Sequence, residues 1–537
     1  MQATRRDVLK IGGLGVLGAV GATALPWGAT LGARTTSRLD PSSMPKPFRA
    51  RFVQPPTLRP RRSVRAADGV WEDHFEVIER AGRAHIVPGL VTPVFGYNGL
   101  APGPTINILR GRRSVLRVRN HLPALNPLGR TEFTTSTHLH GSPSLPEYDG
   151  YASDVTAPGY FKDYRYDNNE DGRTLWYHDH GVHHTAQNAY SELYAQYHIH
   201  DEPESALLPQ GEFDVGLTIG DVLFASDGSL LYDDNSHSGL AGDVILVNGR
   251  PWPVMRVKRR VYRFRVLVAS TARSYRFALD TGDAVTMVAT DGGLMPKARQ
   301  VTQWRHSSAE RYEILIDFSR YRPGQRVVLQ NLSNPDNVEF PDTDKVMAFD
   351  VTDAPFDRRD HTWRRLPDAL ETCDTMRLRE ESAVRVRRDE LDRKHGEFTI
   401  NGSSWNDVIG SEFQLLSADP DLGDIEIWDV ENKSGGWFHP AHIHLVDFRV
   451  LSRNGRPPFD YELGPKDTVY VGENEKVRLL MQFLHHRGRY MVHCHNLAHE
   501  DHDMMVQFAV GWKPGQPDPH HPIMAARPKV DPGYPRA

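Results

Sequence analysis

The stretch HCHNLAHEDHDMM, His493 to Met505, sets two histidines around one cysteine, with a third histidine four residues on and two methionines closing the run. On a β-strand side chains alternate between faces, so His493 and His495 point one way and Cys494 the other. One thiolate, two imidazoles and a weak axial thioether sulfur make the ligand set of a blue-copper electron-transfer site. Cys494, His499 and Met504 supply three of these, and His439 can supply the fourth from another loop. His493 and His495 stay free to bind other metal on the opposite face. Electrons can then pass from the copper through Cys494 and its peptide bonds to that metal.

Working outward, the chain holds 26 histidines in 537 residues, for which chance gives roughly one HxH pattern. Five occur: His138/His140, His178/His180, His198/His200, His442/His444 and His493/His495. On a strand each pair shares a face with Cα atoms about 6.5–7 Å apart, so its imidazoles can reach two neighbouring ions. STHLHGS and WYHDHGVHH each end a strand at a glycine, and HPAHIHL adds His439. YHIHDEP leads only into an acidic Pro loop, so His198/His200 reads as the chance pair. His183, His184, His485, His486, His502, His520 and His521 read as bystanders. Setting His439 and His499 apart leaves eight imidazoles: His138, His140, His178, His180, His442, His444, His493 and His495. Eight suit three coppers, two on one and three on each of the others. Zinc is the rival for His/Cys sets, but it needs no axial methionine and cannot use a redox path.

The composition allows a substantial core. Hydrophobic residues are 39% and the net charge is -5 with no block of one sign, which excludes the basic footprint of a nucleic-acid binder. Two cysteines exclude a disulfide framework. Short runs of alternating polarity, such as SVLRVRN (114–120) and VYRFRVL (261–267), are broken by Gly, Pro, Asn and Asp turns. Long amphipathic helices are scarce, so an all-β class of sandwiches or barrels is expected. Asn-Gly turns recur at Asn98, Asn248 and Asn401, each beside a strand, which fits three related sandwiches.

Thr4-Arg5-Arg6-Asp7-Val8-Leu9-Lys10, followed by a Gly-rich apolar run to Leu25, looks like a twin-arginine export signal. That run is too short and glycine-rich to span a bilayer, and no later segment does. The expected organisation is a signal over 1–33, a Pro/Arg-rich extended lead over 34–65, domains over 66–205, 206–370 and 371–512, and an irregular Pro-rich tail over 513–537.

The four motifs HxHG, HxH, HPxHxH and HCHxxxHxxxxM, in this order, resemble those of the multicopper oxidases. Longer segments, among them THLHGSPSLPEYDGYASDVTAPGYFKDYRY and GGWFHPAHIHLVDFRVLSR, are similar to the bilirubin oxidase branch, which includes spore-coat laccases. The resemblance implies three cupredoxin-like Greek-key domains and four copper ions: one type 1, one type 2 and two type 3. It implies a one-electron donor oxidised at the type 1 copper and dioxygen reduced to water at a trinuclear cluster. By motif position His439, Cys494, His499 and Met504 match the type 1 ligands, and His138 and His442 the type 2 ligands. His140, His180 and His495 as one trio, and His178, His444 and His493 as the other, match the type 3 ligands, and sequence leaves open which trio serves which ion. Dioxygen reduction also takes protons, for which carboxylates are natural donors. Asp149 and Glu500 match acidic positions of this branch, against the blander reading of structural carboxylates. Trp437, two residues before His439, would contact a donor or carry an electron inward, against the reading of a core aromatic. Asp447 and Asp179 are candidates to orient ligand histidines. Cys373 has no partner and reads as buried.

The expected donors are phenols, aminophenols or tetrapyrroles such as bilirubin. A metallo-oxidase of cuprous, ferrous or manganous ions is the alternative, and a copper-free scaffold the non-enzymatic one. The protein is expected to be an exported monomer in the periplasm, at the cell surface or outside the cell, without nucleic-acid or stable membrane partners.

Overall fold

The computed structural model describes residues 35–353, 366–394 and 396–535, so the signal-like segment over 1–33 lies outside them. Among the described residues the chain is built from strands, with α-helices of only five or six residues, such as Thr185–Tyr190 and Leu497–Asp501. Six sheets form in three successive pairs, of five and six, seven and five, and five and four strands. Each pair encloses its own apolar core. Val77, Leu116 and Tyr177 lie in the first, Phe264, Ile314 and Phe349 in the second, and Trp428, Ile443 and Phe508 in the third. Burying these faces against each other is what fixes strand register, because a one-residue slip would turn every apolar side chain outward.

The Asn-Gly turns mark the same position in each sandwich. Both residues of each pair have positive φ: 59° and 68° at Asn98-Gly99, 49° and 71° at Asn248-Gly249, 55° and 76° at Asn401-Gly402. That is the signature of the type I′ turn, which Asn-Gly favours. Each asparagine also closes a two-bond clasp with a distant strand. Its N–H donates to the carbonyl of Ile78, Thr218 or Glu390 at 2.6, 2.8 and 2.9 Å. Its Oδ1 accepts from the N–H of that same residue at 3.0, 2.8 and 2.9 Å.

Two segments depart from their sequence reading. Tyr262, Phe264 and Val266 of the strand Val261–Val268 alternate with Arg263 and Arg265, yet both faces are buried. The arginines meet Glu204, Asp214 and Glu313 instead of water, so charge pairing replaces hydration on that face. The tail is irregular as far as Arg527, but Lys529–Val530 pairs antiparallel with the strand Tyr160–Tyr166. Asp531 secures it by accepting from Arg119 and His121. The lead crosses the middle sandwich through turns rather than fully extended, with Ser43 donating to the Asp40 carbonyl and Phe48 at φ 62°; Phe48 and Phe52 donate to Trp252 and Val254, and the chain then joins the first sandwich as Thr57–Leu58 and Arg62–Arg65.

Candidate metal centre

Four strands bring the histidines together. Thr137–His140 pairs antiparallel with Arg173–Asp179, setting His138 opposite His178. His439–Ile443 pairs antiparallel with Gly488–Cys494, setting His442 opposite His493 and Ala441 opposite Cys494. Two glycines allow the first half to form. Gly141, at φ 90°, follows His140, and a Cβ there would sit 2.6 Å from Arg311 Nη2 and Asp467 Oδ2. Gly150, at φ 73°, lies against the His138 backbone, where a Cβ would come within 2.6 Å. Both positions need the left-handed backbone that glycine adopts without strain.

The eight HxH imidazoles converge from the first and third sandwiches, all buried. His140, His178 and His495 form one group that could hold an ion, and His180, His444 and His493 another. These groups differ from the trios expected by motif position, in which His180 stood with His140 and His495 and His178 with His444 and His493: His178 and His180 exchange places. His138 and His442 sit beside them, His138 stacked on His444 with ring centroids 4.0 Å apart and His442 on His140 at 3.7 Å.

The donor atoms fit metal better than one another. His444 Nε2 and His180 Nε2 lie 3.1 and 3.2 Å from His493 Nε2. Donors at about 2.0–2.1 Å from one tetrahedral ion lie about 3.3 Å apart. His138 Nε2, His140 Nδ1, His178 Nε2, His442 Nε2 and His495 Nε2 are buried with no hydrogen-bond partner, a costly state for a nitrogen that binds nothing. Burial, reinforced by neighbouring imidazoles, holds His140, His178, His442, His444 and His495 well below the usual histidine range. It brings His180 down to about 3. These rings are therefore neutral and offer lone pairs.

The other face of the Cys494 strand carries a second group. His439 Nδ1 and His499 Nδ1 lie 3.3 and 3.7 Å from Cys494 Sγ and 3.2 Å from each other. Cys494 donates its backbone N–H to the Met504 carbonyl, and Met504 donates to His499, which holds the buried Met504 beside them. Burial pushes the Cys494 thiol upward, so a thiolate there requires a cation. Burial likewise takes His439 down to about 3. Half-buried Trp437 sets its ring 5.5 Å from that of His499, nearly perpendicular, and Phe398 stacks on His499 at 3.9 Å.

Carboxylates surround the histidines. Asp149 Oδ2 lies 2.8 Å from His444 Nδ1, and the Asp149 carbonyl accepts from His138 Nδ1 at 2.5 Å. Glu500 Oε2 is 2.9 Å from His493 Nδ1, and Oε1 is 3.6 Å from His180 Nδ1. Burial raises Asp149. Glu500 is buried too, but the imidazoles of His493 and His180 outweigh that and hold it down at about 2.

Two expected partners act differently. Asp447 pairs with Arg173 at 2.9 Å rather than with a ligand histidine. Asp179 serves His178 through its backbone carbonyl at 2.8 Å, while its carboxylate accepts from Ser136, Gly181 and Asn188. The residue that sequence missed is Asp467. Its Oδ1 is 3.0 Å from His140 Nε2, its carbonyl accepts from His442 Nδ1 at 2.8 Å, and its carboxylate is clamped by Arg311. His198 and His200 lie apart, against Asn107 and Gln196. Cys373 is half-buried rather than enclosed.

A three-sandwich β fold with a Cys/His site on one strand face and converging histidines on the other defines a copper oxidase. Multicopper oxidase family models match residues 81–204 and 383–513. The chain is 38% identical over 485 residues to the bilirubin oxidase of Albifimbria verrucaria, covering 84% of this chain and 79% of that one. It is 35% identical to the laccase of Bacillus subtilis, covering 77% and 89%. The McoA multicopper oxidase of Aquifex aeolicus superimposes with a TM-score of 0.72 at 29% identity, covering 86% of this chain and all of that one. The chain belongs to the multicopper oxidase family, in the branch of bilirubin oxidase and Bacillus laccase. It is a copper-dependent oxidoreductase with oxygen as acceptor.

Proposed function

We propose that the protein oxidises phenolic, aminophenolic or bilirubin-like donors one electron at a time and passes the electrons to dioxygen. His439, Cys494, His499 and Met504 would hold a type 1 copper, and His138 and His442 a type 2 copper. His140, His178 and His495 would hold one type 3 copper and His180, His444 and His493 the other. Four bound copper ions would supply electron storage and the reduction of dioxygen to water. The observation that carries this reading is the strand Gly488–Cys494, which continues into His495. It places Cys494 in one donor group while His493 and His495 belong to the two trios behind it.

The chain's own groups divide the remaining work. Trp437 stands half-buried over His499 and offers an aromatic donor a face to rest on. Asp149, whose Oδ1 has no hydrogen-bond partner, is favoured by burial to hold a proton at that oxygen. Glu500, held ionised between His493 and His180, would orient His493 and accept a proton passing toward the centre. Each protein copy carries the whole ligand set, which supports action as a monomer. The twin-arginine-like Thr4–Lys10 supports export of a folded protein to the periplasm, the cell surface or beyond. Among the described residues no helix is long and apolar enough to cross a membrane.

Oxygen uptake by copper-loaded protein with 2,6-dimethoxyphenol, bilirubin, and ferrous or cuprous ions tests the donor class. The expected result is faster uptake with the organic donors. Uptake with metal ions alone would replace this reading with a metallo-oxidase.

A further inference from the structure

The segment LYDDNSHSG (231–239) of the middle sandwich lies against the helix Leu497–Asp501, which carries His499. Half-buried Tyr232 packs on the cluster of Leu497, Ala186 and Ala189. Gly239, at φ 116°, sits against the Asn496 amide, where a Cβ would come within 3.0 Å of Nδ2 and 2.6 Å of Ala272 Cβ. Asn496 Nδ2 donates to the Ser238 carbonyl at 3.3 Å. Leu497 donates its N–H to the carbonyl of Thr271, also from the middle sandwich, at 2.8 Å. A sandwich with no donor histidine of its own therefore grips the helix that carries one.

The contact reaches the outer nitrogen of His499. That ring turns Nδ1 toward Cys494 Sγ and His439 Nδ1, so a metal on Nδ1 leaves the neutral imidazole its proton on Nε2. The N–H then needs an acceptor. Asn496 Nδ2, 3.0 Å away, cannot be one, because Oδ1 of that amide is taken up by the Ala498 N–H at 3.2 Å. The Ser238 carbonyl is the acceptor that stands there, within hydrogen-bonding reach of the ring. A carbonyl is only as well placed as its loop. Asn235, Ser236 and His237 run at φ 52°, 53° and 71° in succession, a left-handed course that non-glycine residues keep only where the surroundings hold it. Asp234 supplies the fastening. Its Oδ2 lies 3.3 Å from His502 Nε2, just past the helix, and 3.1 Å from His237 Nδ1 within the loop. Its carbonyl accepts from the Gly239 N–H at 2.9 Å.

We propose that Asp234 is a positioning residue for the Cys494 group: fastened to His502, it keeps the Ser238 carbonyl on the His499 ring and so lowers the reduction potential of that group when it holds copper. The proposal rests on the reading of His439, Cys494, His499 and Met504 as a type 1 copper site. An acceptor on the outer nitrogen makes the imidazole a stronger electron donor, which favours the oxidised ion over the reduced one. Hydrogen bonding around such a site is one of the levers that tune its potential. The middle sandwich thereby acts on the site of electron entry through one loop. Asp234 and His502 are 24% and 37% exposed, so replacing them leaves the apolar cores intact.

The test is a redox titration of the blue band in copper-loaded protein, run on the unaltered chain, Asp234→Ala, His502→Ala, the double variant and Asp234→Asn. Asparagine keeps an oxygen that accepts from His502, so Asp234→Asn is expected to match the unaltered potential. Each alanine variant is expected to stay blue and to shift the redox equilibrium about tenfold toward the reduced form, about 59 mV upward for one electron. The double variant is expected to shift no further than either single one, since both remove the same fastening. Three results would overturn the proposal and leave the type 1 reading standing: a blue protein whose potential both alanine variants keep, shifts that add in full in the double variant, or a shift in Asp234→Asn equal to that in Asp234→Ala, which would mark an effect of charge alone. A colourless unaltered protein would overturn the type 1 reading, and this proposal with it.

Discussion

At the scale of single residues, the two carboxylates nearest the histidine groups carry the sharpest consequences. Asp149 lies against His444 and Glu500 against His493. Asp149→Asn and Glu500→Gln preserve shape while removing an ionisable carboxyl from each position. Each is expected to retain copper and blue colour while steady-state oxygen uptake falls about tenfold or more. Undiminished uptake in both variants would show that protons reach the centre another way. The candidate donor groups were legible in sequence as imidazoles at a two-residue repeat, which a strand gathers on one face. Asp467 was not legible. It stands in GPKDTVY, with no histidine near it, and only the packing of Arg311 from the middle sandwich brings it to His140 and His442. Asp179 and Asp447 were legible as carboxylates but not as to partner, since backbone N–H groups and Arg173 compete for them.

At the scale of elements, the Asn-Gly clasps show how a local signal acquires a tertiary role. The third of them adds a carboxyl, because Asn401 Nδ2 donates to Asp389 Oδ1 at 2.7 Å. Burial raises Asp389 from its ordinary value to about 6. The folded protein thus holds a proton there that the unfolded chain releases near pH 4. Its stabilising contribution is complete below about pH 4 and is lost as pH rises through 6. The shift corresponds to about 3 kcal/mol. Asp389→Asn, a neutral stand-in for the protonated acid, is expected to flatten that loss. Urea midpoints between pH 4 and 7 would show it as a smaller fall than in the unaltered protein, and an identical fall would contradict it. The turns were visible as dipeptides in the sequence, but their distant strand partners were not. Nor did alternation in the strand Val261–Val268 reveal that Arg263 and Arg265 face buried carboxylates, since periodicity reports two faces and not what covers them.

At the scale of the molecule, the first and third sandwiches each supply four of the eight converging HxH histidines, and the middle one supplies none of them. Its contribution is support: Arg311 clamps Asp467, and Ser308 Oγ lies 3.4 Å from His495 Nδ1. One strand spans the whole functional distance, with sulfur on one side and imidazoles on the other. Copper content, visible absorption and oxygen uptake, measured together on the reconstituted protein and on Cys494→Ser, test that arrangement most directly. The unaltered protein is expected to hold about four copper ions and to be intensely blue. Cys494→Ser is expected to lose the blue band and about one copper, keep the others, and stop taking up oxygen. A colourless unaltered protein with appreciably fewer ions, or a blue band that survives in Cys494→Ser, would contradict the account.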